Sequence, residues 1–204
     1  MFTVVRIVIG CATFGGLFLW IKASGNANER KKYILAATIA LALTTISAFL
    51  PFENLFMTFD TPESVYHYVN SPALDVKLVV EGQNCDLVIG DNGGTDVYLI
   101  VPKTTDGWKL GLGADTKRIM QKIVDGVVVY IYQYKDTEDY FVAVLDGNDR
   151  EPIIEDARNS TFFTLEHENN ASNTMLDTYI ASVPNLDQQY WVRVNGREIP
   201  VFDA

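Results

Sequence analysis

The sequence predicts two N-terminal transmembrane helices followed by an α+β domain of mainly antiparallel β-structure, either a sandwich or a curled sheet, with one short helix. Two long uncharged apolar stretches fill the first fifty-odd positions, and short strand-forming runs separated by turn residues fill most of the rest. A helix-start signal lies between these two regions. We therefore expect a membrane anchor over residues 1–55 and an extracytoplasmic β-rich domain over residues 56–204, which 204 residues can accommodate.

The two apolar stretches match the thickness of a bilayer. Residues 7–21 are uncharged, and only Arg6 interrupts the run from the first residue, so about 21 residues are available to cross a hydrocarbon core of about 30 Å. The second stretch, residues 33–52, has 20 residues without a charge and contains Pro51 near its end. These patterns predict transmembrane helices over about 4–22 and 33–52.

A short basic loop, residues 22–32, separates the two stretches. The positive-inside rule places such a loop in the cytoplasm, so both chain ends and the β-rich domain would lie outside. The residues that determine this topology are Lys22, Arg30, Lys31 and Lys32. Three alternatives stay open for the first stretch: a cleaved signal peptide, a lipoprotein signal ending at Cys11, and one half of a buried soluble hairpin.

The charge of the second region restricts its partners. Residues 61–204 contain 11 Lys and Arg against 23 Asp and Glu, a net charge of −12, so nucleic acid is excluded as a partner. Neither apolar stretch contains an acid, a lysine or a histidine in its core, so nothing indicates a transporter or a proton relay. We expect an integral protein of the cell membrane without a cofactor, and the sequence leaves its oligomeric state open.

The two cysteines are predicted to be unpaired. Cys11 lies in the first apolar stretch and Cys85 in the outer domain, so the two side chains cannot meet. Cys85 precedes an apolar run, which is typical of a buried strand residue rather than a reactive thiol.

The outer domain begins with a helix signal and continues with strand signals. Thr61 is suited to the N-cap position, Pro62 to the first helical position and Glu63 to the first turn. The strands are expected at 74–81, 86–90, 96–101, 108–112, 119–124, 127–134, 140–145, 161–167, 178–183, 190–194 and 198–202. Residues 146–160 and 168–175 are expected to be loops.

The last two strands have a predicted register. Asn195-Gly196 suits a two-residue hairpin turn, which pairs Val192 with Ile199 and Arg193 with Glu198. One face of this hairpin is then apolar, and the other carries an ion pair.

A row of tyrosines is the candidate binding face. Alternation along residues 127–134 places Val127, Val129 and Ile131 on one side of the strand. The opposite side carries Tyr130, Tyr132 and Tyr134, and Tyr140 can return beside them on the next strand. Such a face can bind a glycan or a peptide through its amphipathic rings. The alternative is that it packs beneath a second sheet.

Motifs for catalysis or metal binding are absent from the sequence. His67 and His167 are the only imidazoles, and no Gly-x-Ser-x-Gly motif occurs. The 23 acids of residues 61–204 can be paired in many ways, so an enzyme built on scattered carboxylates stays open as the alternative. We expect that the protein is not an enzyme and that it has no metal site.

Several structural motifs occur between residues 58 and 145. They are Thr61-Pro62-Glu63, Val80-Glu81-Gly82, Val101-Pro102-Lys103 before Gly107-Trp108-Lys109, and the segment from Tyr130 to Tyr140. This part of the chain resembles small membrane-anchored proteins of Gram-positive bacteria that have an extracytoplasmic β-rich domain. The resemblance implies location and fold, with no assigned activity to transfer.

These observations favour a membrane-anchored, non-catalytic binding or interaction protein of the bacterial cell envelope, with a protein or glycan partner. The alternatives are an envelope enzyme and, if the topology is inverted, a cytoplasmic regulatory domain.

Overall fold

A computed structural model describes most of the chain. The described residues are 2–23, 29–49, 51–70, 73–91, 95–111, 116–135, 137–147, 151–166 and 177–202. Residues 24–28 of the predicted basic loop and residues 167–176, which contain the whole of the second predicted loop, lie outside them. The helices are α1 (Phe2–Ala23), α2 (Glu29–Phe49) and α3 (Pro62–Val69), and a 3-10 turn occupies Phe52–Leu55.

The prediction of two membrane spans is supported only in part. Among the described residues, Val4–Ala23 is the one helical segment identified as long and apolar enough to cross a membrane, a property that anchors share with N-terminal signal sequences. Helix α2 differs from the expected 33–52 at both ends. It begins in the charged run Glu29-Arg30-Lys31-Lys32 and ends at Phe49, which leaves 17 uncharged helical residues.

Helices α1 and α2 pack against each other as an antiparallel pair. Near one end, a Cβ placed on Gly10 would lie 2.8 Å from Oγ1 of Thr44, so the glycine lets the two helices approach closely. Near the other end, the rings of Phe18 and Tyr33 are 5.5 Å apart. Gly10 precedes Phe18 in α1, whereas its partner Thr44 follows Tyr33 in α2, so the two helices are antiparallel and form a hairpin.

Helix α3 begins as the sequence predicts. The Thr61 side chain accepts a hydrogen bond of 3.2 Å from the backbone N–H of Ser64, and Pro62 occupies the first helical position. Val65 and Tyr66 are fully buried on the inner side of this helix.

The rest of the domain forms three antiparallel sheets. Sheet I has the order β1-β2-β3-β4, sheet II the order β5-β6-β7-β10-β9, and sheet III the order β12-β11-β8. The strands are β1 (Val76–Glu81), β2 (Cys85–Asp91), β3 (Asp96–Thr104), β4 (Gly107–Trp108), β5 (Thr116–Val124), β6 (Val127–Tyr134), β7 (Asp139–Asp146), β8 (Ile154–Asp156), β9 (Phe163–Leu165), β10 (Thr178–Pro184), β11 (Trp191–Val194) and β12 (Arg197–Pro200).

The layers stack in the order α3, sheet I, sheet II and sheet III, with an apolar cluster between each neighbouring pair. Tyr66 of α3 packs with Val88 and Val101 on the outer side of sheet I. The inner side of sheet I, including Leu87, packs against sheet II, including Phe141. The opposite face of sheet II packs against sheet III. Sheets I and II are thus covered on both faces, which explains why β2 is buried along nearly its whole length.

The hairpin of β11 and β12 has the predicted register. Val192 pairs with Ile199 and Arg193 with Glu198. Val192 and Ile199 are buried, whereas the Arg193 guanidinium lies 3.0 Å from the Glu198 carboxylate on the exposed face. Asn195 and Gly196 both have positive φ angles, 51° and 81°, as this turn requires.

Cys85 is a fully buried residue of β2, and both cysteines are free, as the sequence predicts. Burial, followed by the nearby Asp139 carboxylate, raises the pKa of the Cys85 thiol, so the thiolate form is disfavoured.

Candidate binding face

The predicted tyrosine row lies on the side of β6 that faces sheet I. Val127, Val129 and Ile131 point the other way, into the cluster between sheets II and III, so the predicted alternation is confirmed. Tyr130 and Tyr132 are half-buried beside the cluster between sheets I and II. Sheet I therefore covers part of the tyrosine row, as in the alternative that the sequence left open, and leaves Tyr130 and Tyr132 partly accessible.

Two of the four predicted tyrosines do not contribute to an accessible face. Tyr134 is only 7% exposed and belongs to the core between sheets I and II. Tyr140 pairs across the ladder with Gln133, whose side chain lies on the opposite face of sheet II from Tyr132. Tyr140 consequently packs toward sheet III, because a shift of one residue in a strand reverses the face of a side chain.

Two residues outside the predicted set complete the accessible part of the row. The ring of Tyr98 in β3 stacks on Tyr132, with centroids 5.6 Å apart and an interplanar angle of 16°. The guanidinium of Arg118 in β5 lies over the Tyr130 ring, 5.4 Å from its centroid. We call Tyr98, Arg118, Tyr130 and Tyr132 the aromatic corner. It lies where β3 of sheet I meets β5 and β6 of sheet II.

The aromatic corner is electrically neutral on its rings and positive at its rim. Burial, then Asp96, then Tyr132, raise the pKa of the Tyr98 phenol. Burial also raises the pKa of Tyr132, against the opposing effect of the Arg118 charge. Both phenols thus keep their protons at neutral pH and can donate hydrogen bonds, while Arg118 supplies a cation.

The sequence contained a signal for Tyr98 but none for Arg118. Tyr98 alternates with Ile100 along the predicted strand, which puts the two side chains on one face, but the pairing of that face with β6 depends on the stacking of the two sheets. Arg118 lies in β5, which begins at Thr116 rather than at the predicted residue 119. A β-bulge between Arg118 and Met120 interrupts the register with β6, and sequence alternation does not reveal it.

The buried carboxylates form a second group of interest, because the alternative enzyme prediction depends on them. Asp86 is 1% exposed and accepts hydrogen bonds from Trp108 Nε1 at 2.6 Å and from the Gly82 backbone at 3.1 Å. Its other interaction is an ion pair of 2.7 Å with Lys103. These contacts join β2, β3 and β4, so the carboxylate holds sheet I together.

Asp139 and Asp156 also bind neighbouring backbone. Asp139 accepts hydrogen bonds from the backbone N–H groups of Gln83, Asn84 and Cys85, and so fixes the β1–β2 turn against β7. Asp156 accepts from the Tyr190 hydroxyl at 2.8 Å and from the Ser160 backbone at 2.7 Å. Within the described residues, no group of three or more His, Cys, Asp or Glu side chains is placed to hold a metal ion.

A third polar cluster joins the helical hairpin to the domain. Arg6 of α1 and Glu53 of the 3-10 turn form a buried ion pair of 3.0 Å, and the two residues are only 5% and 1% exposed. The hydroxyl of Tyr68 in α3 donates to the same carboxylate at 3.2 Å. We call Arg6, Glu53 and Tyr68 the anchor junction.

Asn54 adds a second connection directly beside the anchor junction. Its side-chain amide donates to the Leu110 carbonyl at 2.8 Å and accepts from the Leu110 backbone N–H at 2.9 Å. The Lys109 ammonium donates to the Asn54 carbonyl at 2.7 Å. The 3-10 turn that follows the hairpin is therefore attached by several polar contacts to residues 109–110, which directly follow β4 of sheet I.

No family model, curated protein or solved structure matches the chain. The likeness to membrane-anchored proteins of Gram-positive bacteria stays a prediction from the sequence.

Proposed function

We propose that the protein is a non-catalytic binding protein of the cell membrane, held by the α1–α2 hairpin, with its β-rich domain on the extracytoplasmic side. The observation that carries this proposal is the anchor junction, which joins the start of α1 to the 3-10 turn after α2. In this junction the charges of Arg6 and Glu53 neutralise each other at one end of the hairpin. The basic residues Lys22, Arg30, Lys31 and Lys32 belong to the other end.

This distribution supports a membrane orientation for both helices. The positive-inside rule assigns the basic end of the hairpin to the cytoplasm, so the anchor junction and the domain attached to it lie outside. Helix α2 exposes Ile34, Leu35 and Leu41, the last at 70%, and these side chains need an apolar environment. We propose that lipid covers them and that α2 is the second, shorter membrane span.

The aromatic corner is the proposed binding surface. The half-buried tyrosine rings offer part of their apolar surface and hydroxyl donors, and Arg118 adds a cation for an anionic or carbonyl-rich partner. Catalysis is not part of the proposal, because Asp86, Asp139 and Asp156 all bind structural partners. The proposed partner is a protein or a glycan of the envelope.

A photocrosslinking experiment in living cells tests this surface. A photoreactive residue is placed at the exposed Gln121 in β5, which pairs with Tyr130, and at the exposed Glu198 of sheet III as the matched control. We expect a discrete adduct from position 121 that is absent from position 198 and is lost when Arg118→Glu is added. Equal labelling at both positions, or labelling that is insensitive to Arg118→Glu, would refute the proposed surface.

A further inference from the structure

Strand β5 forms an edge of sheet II. It pairs with β6 on one side, and no other strand among the described residues pairs with its second side. The edge is nine residues long, whereas the other edge of the same sheet, β9, has three. A strand edge of this length offers a row of backbone N–H and C=O groups to another extended chain.

The charge of this edge is opposite to that of the domain. Strand β5 contains Lys117, Arg118 and Lys122 and no acid, in a region whose net charge is −12 over residues 61–204, and the first acid after it along the chain is Asp125. Asp125 is itself ion-paired with Arg197 of sheet III. The edge therefore presents a positive potential, which attracts an acidic partner and disfavours pairing between two copies of β5.

Apolar side chains accompany the charges. Ile119 and Ile123 are 40% and 63% exposed, and both lie on this strand. Lysines on an edge strand commonly discourage aggregation, but exposed isoleucines on the same strand have the opposite effect. Lys117 pairs with Gln133 and Ile123 with Val128, so these two side chains lie on opposite faces of sheet II. The combination suits a partner strand with acids on the face of Lys117 and apolar side chains on the face of Ile123.

We propose that β5 binds an extended acidic segment of a partner protein, which adds to sheet II as a sixth strand beside the aromatic corner. This inference rests on the proposed binding function and specifies the class of partner. A glycan or a polyphosphate can neutralise the cations, but neither can pair with the backbone of β5 as a peptide strand does.

The test uses the full chain in nanodiscs of zwitterionic lipid and fluorescent eight-residue peptides with blocked ends. The acidic peptide alternates Val and Glu. One control replaces every Glu by Lys, and a second keeps the acids but carries N-methyl groups on alternate residues, which removes the strand hydrogen bonds. Anisotropy titrations measure the dissociation constant of each peptide.

We expect saturable binding of the acidic peptide and at least tenfold weaker binding of both controls. Lys117→Glu should weaken binding of the acidic peptide at least fivefold. Arg158→Glu makes an equal charge change next to sheet III and should alter that binding less than twofold. Equal binding of the N-methylated peptide, or no saturable binding of the acidic peptide, overturns the inference. If binding is absent while the Gln121 adduct still forms and still depends on Arg118, the proposed function stands and strand addition is wrong.

Discussion

At the scale of single residues, acids join elements that are distant in the sequence. Glu53 joins the helical hairpin to α3, Asp139 joins the β1–β2 turn to β7, and Asp156 joins β8 to the start of β11. The sequence shows that these residues are acidic but does not show that they are buried. Burial of a carboxylate depends on partners brought by the fold, and Tyr68, Gln83 and Tyr190, which bind these three acids, lie 15 or more residues away from them.

Removal of the charge of Glu53 should strongly destabilise the folded protein. Glu53→Gln leaves the buried Arg6 guanidinium without its carboxylate, which should lower the free energy of unfolding by about 3 kcal/mol. Chemical unfolding of the full chain in detergent measures the change. Glu81→Gln is the matched control, because Glu81 is exposed at the end of β1. A loss for Glu53→Gln no larger than that of the control would show that the pair is not a stabilising contact.

Stability should fall at alkaline pH, in part through Tyr98. Its pKa is raised above the ordinary value of 10.0, so the unfolded chain loses this proton before the folded protein does. The contribution of Tyr98 to stability is therefore complete below pH 10 and decreases as the pH rises above it. Unfolding midpoints at pH 8 and pH 11 should differ less for Tyr98→Phe than for the unchanged protein. An identical or larger pH effect in the variant would contradict this assignment.

At the scale of elements, local signals predicted most strands and one helix. The Asn195-Gly196 turn and the N-cap of α3 at Thr61 are determined by residues only a few positions apart, so the hairpin and the helix begin where the sequence predicts. Strand β8 was missed, because its three residues lie in the polar stretch 146–160 and are a strand only through pairing with β11. The end of α2 was misplaced because the apolar stretch continues beyond the last helical residue, Phe49.

The packing of α1 on α2 should depend on one of the three glycines in α1. A larger side chain at Gly10 meets Thr44, whereas nothing lies within 4 Å of a Cβ at Gly15. Gly10→Leu should therefore lower the thermal unfolding temperature of the detergent-solubilised chain by several degrees, as an overpacked contact costs about 1–3 kcal/mol. Gly15→Leu makes the same chemical change and should have little effect. Equal effects of the two variants would mean that the helices do not meet at Gly10.

At the scale of the whole molecule, the stacking of layers decides which residues are accessible. Alternation along β6 predicted that Tyr130, Tyr132 and Tyr134 share a face, but it did not show which of them are covered, since that depends on sheet I lying over sheet II. Tyr134 is buried and Tyr140 faces sheet III, while Tyr98 and Arg118 join the accessible part from other strands. Only the three-dimensional pairing of the sheets brings the aromatic corner together next to the basic edge of β5.

We propose that the hairpin holds the β-rich domain outside the cell. The most direct test is protease protection of intact spheroplasts that carry a tag fused after Ala204, with a cytoplasmic protein as the control for lysis. External protease should remove the tag while the cytoplasmic control survives, because the proposed orientation puts the basic end of the hairpin inside and the domain outside. A tag that survives until the spheroplasts are lysed would contradict the account and place the domain in the cytoplasm.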